Sequence, residues 1–292
     1  MLKIKDPIEI VEALDKLNYV ADEEFATALF LLINLQKPLL LEGPPGVGKT
    51  EIALVLSQLL DTKLIRLQCY EGLDINSAVY EWNYQKQLLG IKLQEGSSLS
   101  IAEKEKHIFG TDYLLQRPLL QSISSEDKSP VLLIDELDRS DEEFEAFLLE
   151  LLSAFQISIP EVGTMKAKYK PYVILTSNRT RELSDALKRR CLYYWIDYPD
   201  LDKEMSIVKK RLPGIEQKLL EQVVKFVQEF RKRKLSKIPG VSETMDWAES
   251  LMALGYRQID SGAFEKTLGT VLKSAEDILQ VKQEGIEAFS PL

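Results

Sequence analysis

Residues 38–50 read Pro-Leu-Leu-Leu-Glu-Gly-Pro-Pro-Gly-Val-Gly-Lys-Thr, a short apolar run that ends in a glycine-rich turn. Leu39, Leu40 and Leu41 are too few and too evenly apolar for an amphipathic helix, and they predict a strand buried on both faces of a parallel sheet. From Gly43 to Thr50 the spacing fits G-x-x-x-x-G-K-[ST]. In that pattern backbone N–H groups converge on phosphate oxygens, the lysine reaches the β- and γ-phosphates, and the hydroxyl ligates magnesium. Gly43, Pro44, Pro45, Gly46, Val47, Gly48, Lys49, Thr50 and the adjoining Glu51 are the expected nucleotide-binding residues. By itself the loop suits a kinase, a GTPase or a transporter motor equally well.

The apolar pattern continues on both sides of the loop. Upstream, Asp6-Pro7 with Glu9 predicts a helix start, and Ile10, Leu14 and Leu17 extend one face of it. A second helix is expected after Asp22, with Phe25, Leu29, Leu32 and Ile33 at helical spacing. Downstream, Ile52, Ala53, Val55, Leu56, Leu59 and Leu60 predict a buried helix, and Leu64–Leu67 a second strand, together the start of a βαβ unit. Residues 70–93 set Tyr70, Tyr80, Trp82 and Tyr84 among acids and glutamines, which predicts an inserted helix or hairpin. These aromatics suit a small local core, or a surface that grips a partner or lines a pore.

Val131–Ile134 predict another buried strand, and Asp135-Glu136 follow directly. A helix N-terminus explains Asp141, Glu142 and Glu143 through a dipole gain of about 0.3–1 kcal/mol per charge. It does not explain a carboxylate pair at a strand's end. Asp135 is expected to hold Mg2+ together with Thr50, and Glu136 to orient and deprotonate the attacking water. Ile157–Ile159 and Met165–Tyr169 read as a hairpin, and Val173–Thr176 as a core strand ending in Asn178, an amide suited to the γ-phosphate or the water. Arg189 and Arg190 precede a last strand, Leu192–Trp195. They suit a neighbouring subunit's phosphates, where an arginine can be worth about 10³–10⁵ in rate, or else a solvated helix end.

After Pro199 the chain reads as helices, with Val223, Val224, Phe226, Val227 and Phe230 on one face and Leu268, Val271, Leu272, Ala275, Ile278 and Leu279 on another. The basic run Arg231–Lys234 with Lys237 is expected to be a solvated helix end that complements the dipole, or else a docking patch. The fold class is therefore α/β, a P-loop NTPase with a parallel central sheet flanked by helices. The expected domains are residues 1–199, with an insertion around 70–93, and a helical lid at 200–292.

At 292 residues with 45% hydrophobic content, the chain can fill one ordinary core and a smaller second one. A net charge of −9 argues against an extended nucleic-acid surface. The start Met1–Pro7 lacks the apolar core of a signal peptide, no apolar run approaches the roughly 18 residues of a membrane span, and Cys69 and Cys191 are too few for a disulfide scaffold. The expected location is cytoplasmic.

Phosphate loop, acidic strand end, asparagine strand end, arginine before the last strand and helical tail come in the order of an AAA+ ATPase. Gly43–Thr50, Leu133–Leu152, Ile174–Arg179 and Leu183–Pro199 resemble the MoxR branch of that family. Glu71–Asp74 with Ala78–Tyr84, Ser184–Cys191 and Val241–Trp247 resemble its CoxD-like subgroup, associated with maturation of molybdenum-containing carbon monoxide dehydrogenase. The resemblance implies ATP and Mg2+ as cofactors and a ring, a hexamer, as the assembly. It further implies a von Willebrand factor A protein as partner and a molybdenum hydroxylase as client. It also implies Lys49 and Thr50 as the Walker A pair, Asp135 and Glu136 as Walker B, Asn178 as sensor 1, and Arg190, or alternatively Arg189, as the arginine finger. The chain departs from the wider AAA+ pattern at Val241–Ser250, which contains no arginine or lysine where a sensor 2 arginine is expected. The expected activity is ATP hydrolysis that drives remodelling or maturation of a partner. An ATP-gated binding module with slow turnover is the second reading, and a nucleic-acid motor the third.

Overall fold

The computed structural model describes residues 5–94 and 100–289. Readings placed on Met1–Ile4 and Ser290–Leu292 lie outside them. The strands are β1 (Leu39–Glu42), β2 (Leu64–Gln68), β3 (Tyr80–Trp82), β4 (Leu114–Gln116), β5 (Val131–Asp135), β6 (Gln156–Ile159), β7 (Gly163–Lys166), β8 (Tyr172–Ser177) and β9 (Leu192–Trp195). Five of them form the central sheet in the order β2-β5-β8-β1-β9. β2, β5, β8 and β1 pair in parallel, as expected.

The order follows from side-chain chemistry. Every residue of β1, β5 and β8 is buried, which suits strands covered on both faces. β2 alternates between buried or half-buried and exposed positions, β9 between half-buried and exposed ones, and these two take the edges. β1 and β2 are parallel strands of one sheet joined through the Glu51–Leu59 helix, the expected βαβ start, but they are not neighbours, because β8 and β5 lie between them. Arg66 and Gln68 make a central place for β2 too costly, since a buried charge demands a partner.

Residues 70–93 hold short helices at Ile75–Ala78 and Tyr84–Leu93 with β3 between them, and β3 pairs antiparallel with β4. The insertion is therefore both helix and ladder, and its second strand lies beyond the stretch that the sequence marked. Tyr80 and Trp82 pack on the main core, while Tyr70 and Tyr84 are exposed. The hairpin β6–β7 pairs Ile157 with Met165, its second strand starting at Gly163 rather than Met165.

The chain divides into two compact units. The first holds Glu24–Glu42 and Thr50–Tyr194; the second holds Ile8–Glu23, Gly43–Lys49 and the chain from Trp195. The core of the first joins Leu40, Leu132, Ile134, Val173 and Leu175 of the sheet to Phe144, Leu148 and Leu151 of the Glu142–Ala154 helix. In the second, Trp247 packs against Phe226 and Phe230, and its indole N–H donates to Thr267 Oγ1 at 2.7 Å.

Two sequence readings of this helical region change. The apolar face from Leu268 to Leu279 belongs to two helices, Ser261–Val271 and Ala275–Glu284, and Leu279 is exposed. Ser274 caps the second, accepting from Asp277 N. Arg231 is not a solvated helix end. It is buried and grips Glu204 through both terminal nitrogens, each at 2.7 Å. Arg231 falls four residues after buried Val227, so the 3.6-residue period turns it to the buried side of its helix, where Glu204 neutralises it.

Candidate active site

The phosphate loop is shaped by close approaches within the second unit. A Cβ at Gly43 would lie 2.0 Å from Ile196 O, so no side chain fits there. Gly46 and Gly48 have φ of +77° and +90°, backbone that side chains rarely adopt. Lys49 is 6% exposed, and its ammonium donates to the carbonyls of Gly43 and Pro44 at 2.7 Å each. The loop thus folds round its own lysine. On its outer side Gly46 O accepts from Val241 N at 2.9 Å and Ser242 N at 3.2 Å.

Because β1, β2, β5 and β8 run parallel, their carboxyl ends meet at one edge. The register pairs Glu42 with Ser177 and Gln68 with Asp135. Ligands of open α/β sheets bind at this edge. Thr50, N-cap of the Glu51–Leu59 helix, donates to Asp135 Oδ1 at 3.0 Å. Thr176 Oγ1 donates to the same oxygen at 2.6 Å, and Arg66 Nη2 reaches Oδ2 at 2.6 Å. Asp135 is 2% exposed, so these donors replace the water it has lost.

Glu136 follows in a left-handed conformation, φ 53° and ψ 49°. That geometry costs a non-glycine residue about 1–2 kcal/mol. It is held by the Glu136 N–H, which donates to Thr176 Oγ1 at 2.9 Å. The Glu136 side chain is 40% exposed, with Arg139 Nε 4.0 Å away. Asn178 is half-buried, and its main-chain N–H donates to Asp138 Oδ1 at 3.2 Å. Asp138 also accepts from Thr180 N and Thr180 Oγ1. Burial opposes ionisation of Asp138, but these hydrogen bonds outweigh it and hold the carboxyl below its usual range.

The acidic edge leaves a mark on its neighbour. Burial first, then the charges of Asp135, Asp138 and Glu136, push the Cys69 thiol up to about 12. Such a field suits a cation, and Thr50 with Asp135 offers the hard oxygen donors that Mg2+ takes. The residues present therefore fit a magnesium-bound nucleotide.

Thr50, Asp135 and Glu136 come together around Thr176, and Asn178 is tied to the same turn through Asp138. Arg190 is engaged elsewhere: it is exposed, and bonds Ser153 Oγ at 2.8 Å and Ala186 O at 2.9 Å. Arg189 is exposed beside it. Thr176, Asp138 and Arg66 were missed in the sequence. Thr176 carried a signal as the polar residue of a strand otherwise read as apolar, and Arg66 as the polar position of an alternating strand; Asp138 lies three residues after Asp135 in the same acidic stretch.

Residues 38–191 match the AAA domain of the dynein-related subfamily. The chain belongs to that AAA family. Two uncharacterized Staphylococcus aureus proteins, from strains bovine RF122 / ET3-1 and NCTC 8325 / PS 47, are each 30% identical to it over 229 residues, 76% of this chain and 77% of theirs. Two mutant forms of Thermotoga maritima RuvB have the AAA fold in common with it. Their TM-scores are both 0.51, with 19% and 18% identity, covering 86% and 92% of this chain and 70% and 73% of theirs. Among the described residues of this AAA-family chain, no helix is long and apolar enough to cross a membrane.

Proposed function

We propose that this AAA-family chain is a MoxR-type ATPase, hydrolysing ATP to remodel or mature a partner protein. The carrying observation is the Thr50–Asp135–Thr176–Glu136 cluster, which sets two oxygen ligands and a half-exposed carboxylate at one sheet edge. Residues 1–199 form the nucleotide-binding domain and 200–292 the helical lid. The loop from Gly43 to Thr50 binds the phosphates with Lys49 countering their charge, and Glu51 continues the helix behind it. Thr50 and Asp135 hold Mg2+, which when bound neutralises phosphate charge. Glu136 accepts a proton from the attacking water, and Asn178 orients that water. Arg190, with Arg189 as the alternative, serves the neighbouring subunit of a ring, taken as a hexamer.

A von Willebrand factor A protein as partner and a molybdenum hydroxylase as client rest on the CoxD-like resemblance of the sequence; the names of the matched proteins speak to neither. An ATP-gated assembly module with slow turnover is the second reading. It is favoured by Val241–Ser250, which lacks any basic residue.

The test is steady-state ATP turnover and nucleotide binding of wild type, Lys49→Ala and Glu136→Gln. Lys49→Ala should lose binding. Glu136→Gln should retain binding and lose turnover by about 10²-fold or more. Near-native hydrolysis by Glu136→Gln would overturn its role, and partner capture with turnover near zero in wild type would favour the gated module.

A further inference from the structure

Gly240 stands immediately before the Val241–Ala253 helix with φ −86° and ψ −171°. Any residue adopts that backbone, so nothing local asks for glycine. The demand comes from the phosphate loop. A Cβ at Gly240 would lie 2.8 Å from Gly46 Cα, 2.9 Å from its carbonyl carbon and 2.9 Å from its oxygen, all backbone atoms that cannot swing aside. Conversely, a Cβ at Gly46 would meet Ser242 Oγ at 2.8 Å and Gly240 Cα at 3.2 Å.

The contact is bonded as well as close. Val241 N and Ser242 N both donate to Gly46 O, at 2.9 and 3.2 Å. A trans peptide is planar with its C=O and N–H pointing opposite ways, so holding Gly46 O on the helix N-terminus aims the Val47 N–H to the other side. The bond also polarises that peptide, strengthening its N–H as a donor. Gly240 is itself braced. Its N–H donates to Glu243 Oε2 at 2.8 Å, its carbonyl accepts from Thr244 Oγ1 at 3.0 Å, and the preceding Pro239 O accepts from buried Arg231 at 2.8 Å.

We propose that Gly240 is a positioning residue for nucleotide, acting through Gly46. The helix that lacks an arginine is coupled to the phosphate loop by its main chain, so the conformation that binds phosphate and the first turn of Val241–Ala253 rise or fall together. This rests on the nucleotide reading given above.

The test compares wild type, Gly240→Ala and Gly269→Ala by titration with ATP and with ADP. Gly269 is the control, on a helix of the same unit, where a Cβ meets nothing within 4 Å. Gly240→Ala should weaken both nucleotides by about tenfold or more, and Gly269→Ala should not change them. In wild type, ATP should slow hydrogen exchange at Val241 and Ser242, a readout that needs no variant. Equal affinity in wild type and Gly240→Ala, or exchange at those amides indifferent to ATP, overturns the proposal alone. Wild type that binds no ATP overturns the nucleotide reading and this inference with it.

Discussion

Thr176 Oγ1 lies 2.6 Å from Asp135 Oδ1, to which it donates its only proton. Its lone pair is thereby turned to the Glu136 N–H, 2.9 Å away. One hydroxyl in the middle of the sheet edge sets both the buried carboxylate and the strained turn that carries the exposed one.

Thr176→Val keeps the shape and removes both bonds. Leaving the Glu136 N–H and a carboxylate oxygen short of partners should cost about 1–3 kcal/mol in urea denaturation. ATP turnover should fall further than ATP affinity, because the turn aims Glu136. Thr176→Ser should recover most of it. Turnover of Thr176→Val equal to wild type would refute the positioning role.

Arg66 pairs with Asp135 but is 53% exposed. Solvent therefore screens much of that attraction. A guanidinium on the carboxylate proposed to hold Mg2+ opposes a second cation. Arg66→Gln should lower the Mg2+ concentration needed for half-maximal nucleotide binding. A higher requirement would mean that Arg66 instead holds Asp135 in place for the metal.

Glu204 is fully buried against Arg231, with Thr244 and Gln228 also donating to it. Arg231→Met leaves that carboxylate without its counter-charge and should cost about 3–5 kcal/mol of stability. Replacing both residues by apolar ones should cost less than the single change. A double variant as unstable as the single one would show that packing, and not charge, is what the pair supplies.

Both thiols are pushed up to about 12, Cys69 by burial and the neighbouring carboxylates and Cys191 by burial against the opposing charge of Arg190. The folded value is raised above the ordinary 9.0, so this contribution to stability is whole below pH 9 and is lost as pH rises toward 12. At pH 8 iodoacetamide should label neither cysteine in the folded chain and both in urea. Rapid labelling of Cys69 in the folded protein would contradict its burial beside the acidic edge, and rapid labelling of Cys191 would contradict its burial alone.

Arg190 bonds Ser153 and Ala186 within its own chain. If it serves a neighbour's phosphates, mixing inactive Lys49→Ala with inactive Arg190→Ala should restore part of the ATP turnover, since some interfaces then carry both wild-type halves. No recovery at any mixing ratio would remove the finger from Arg190, and the same experiment with Arg189→Ala would examine its neighbour.

The phosphate loop, the buried strands β1, β5 and β8 and the acidic end of β5 were legible because each depends on contiguous residues. A run of apolar side chains needs cover on both faces wherever it sits, and two glycines with positive φ are needed whatever the loop packs against. Strand order was not legible, because pairing of β1 with β8 joins residues far apart in the chain, and only the polar alternation of Arg66 and Gln68 hinted that β2 takes an edge. Arg231 read as solvated and proved buried, since its partner Glu204 lies 27 positions earlier. Gly240 gave no sign at all: its backbone is ordinary, and glycine is required there only because the fold brings Gly46 against it. Local chemistry thus set the loop and its strand, while every relation that depends on where a distant residue arrives was decided by tertiary structure.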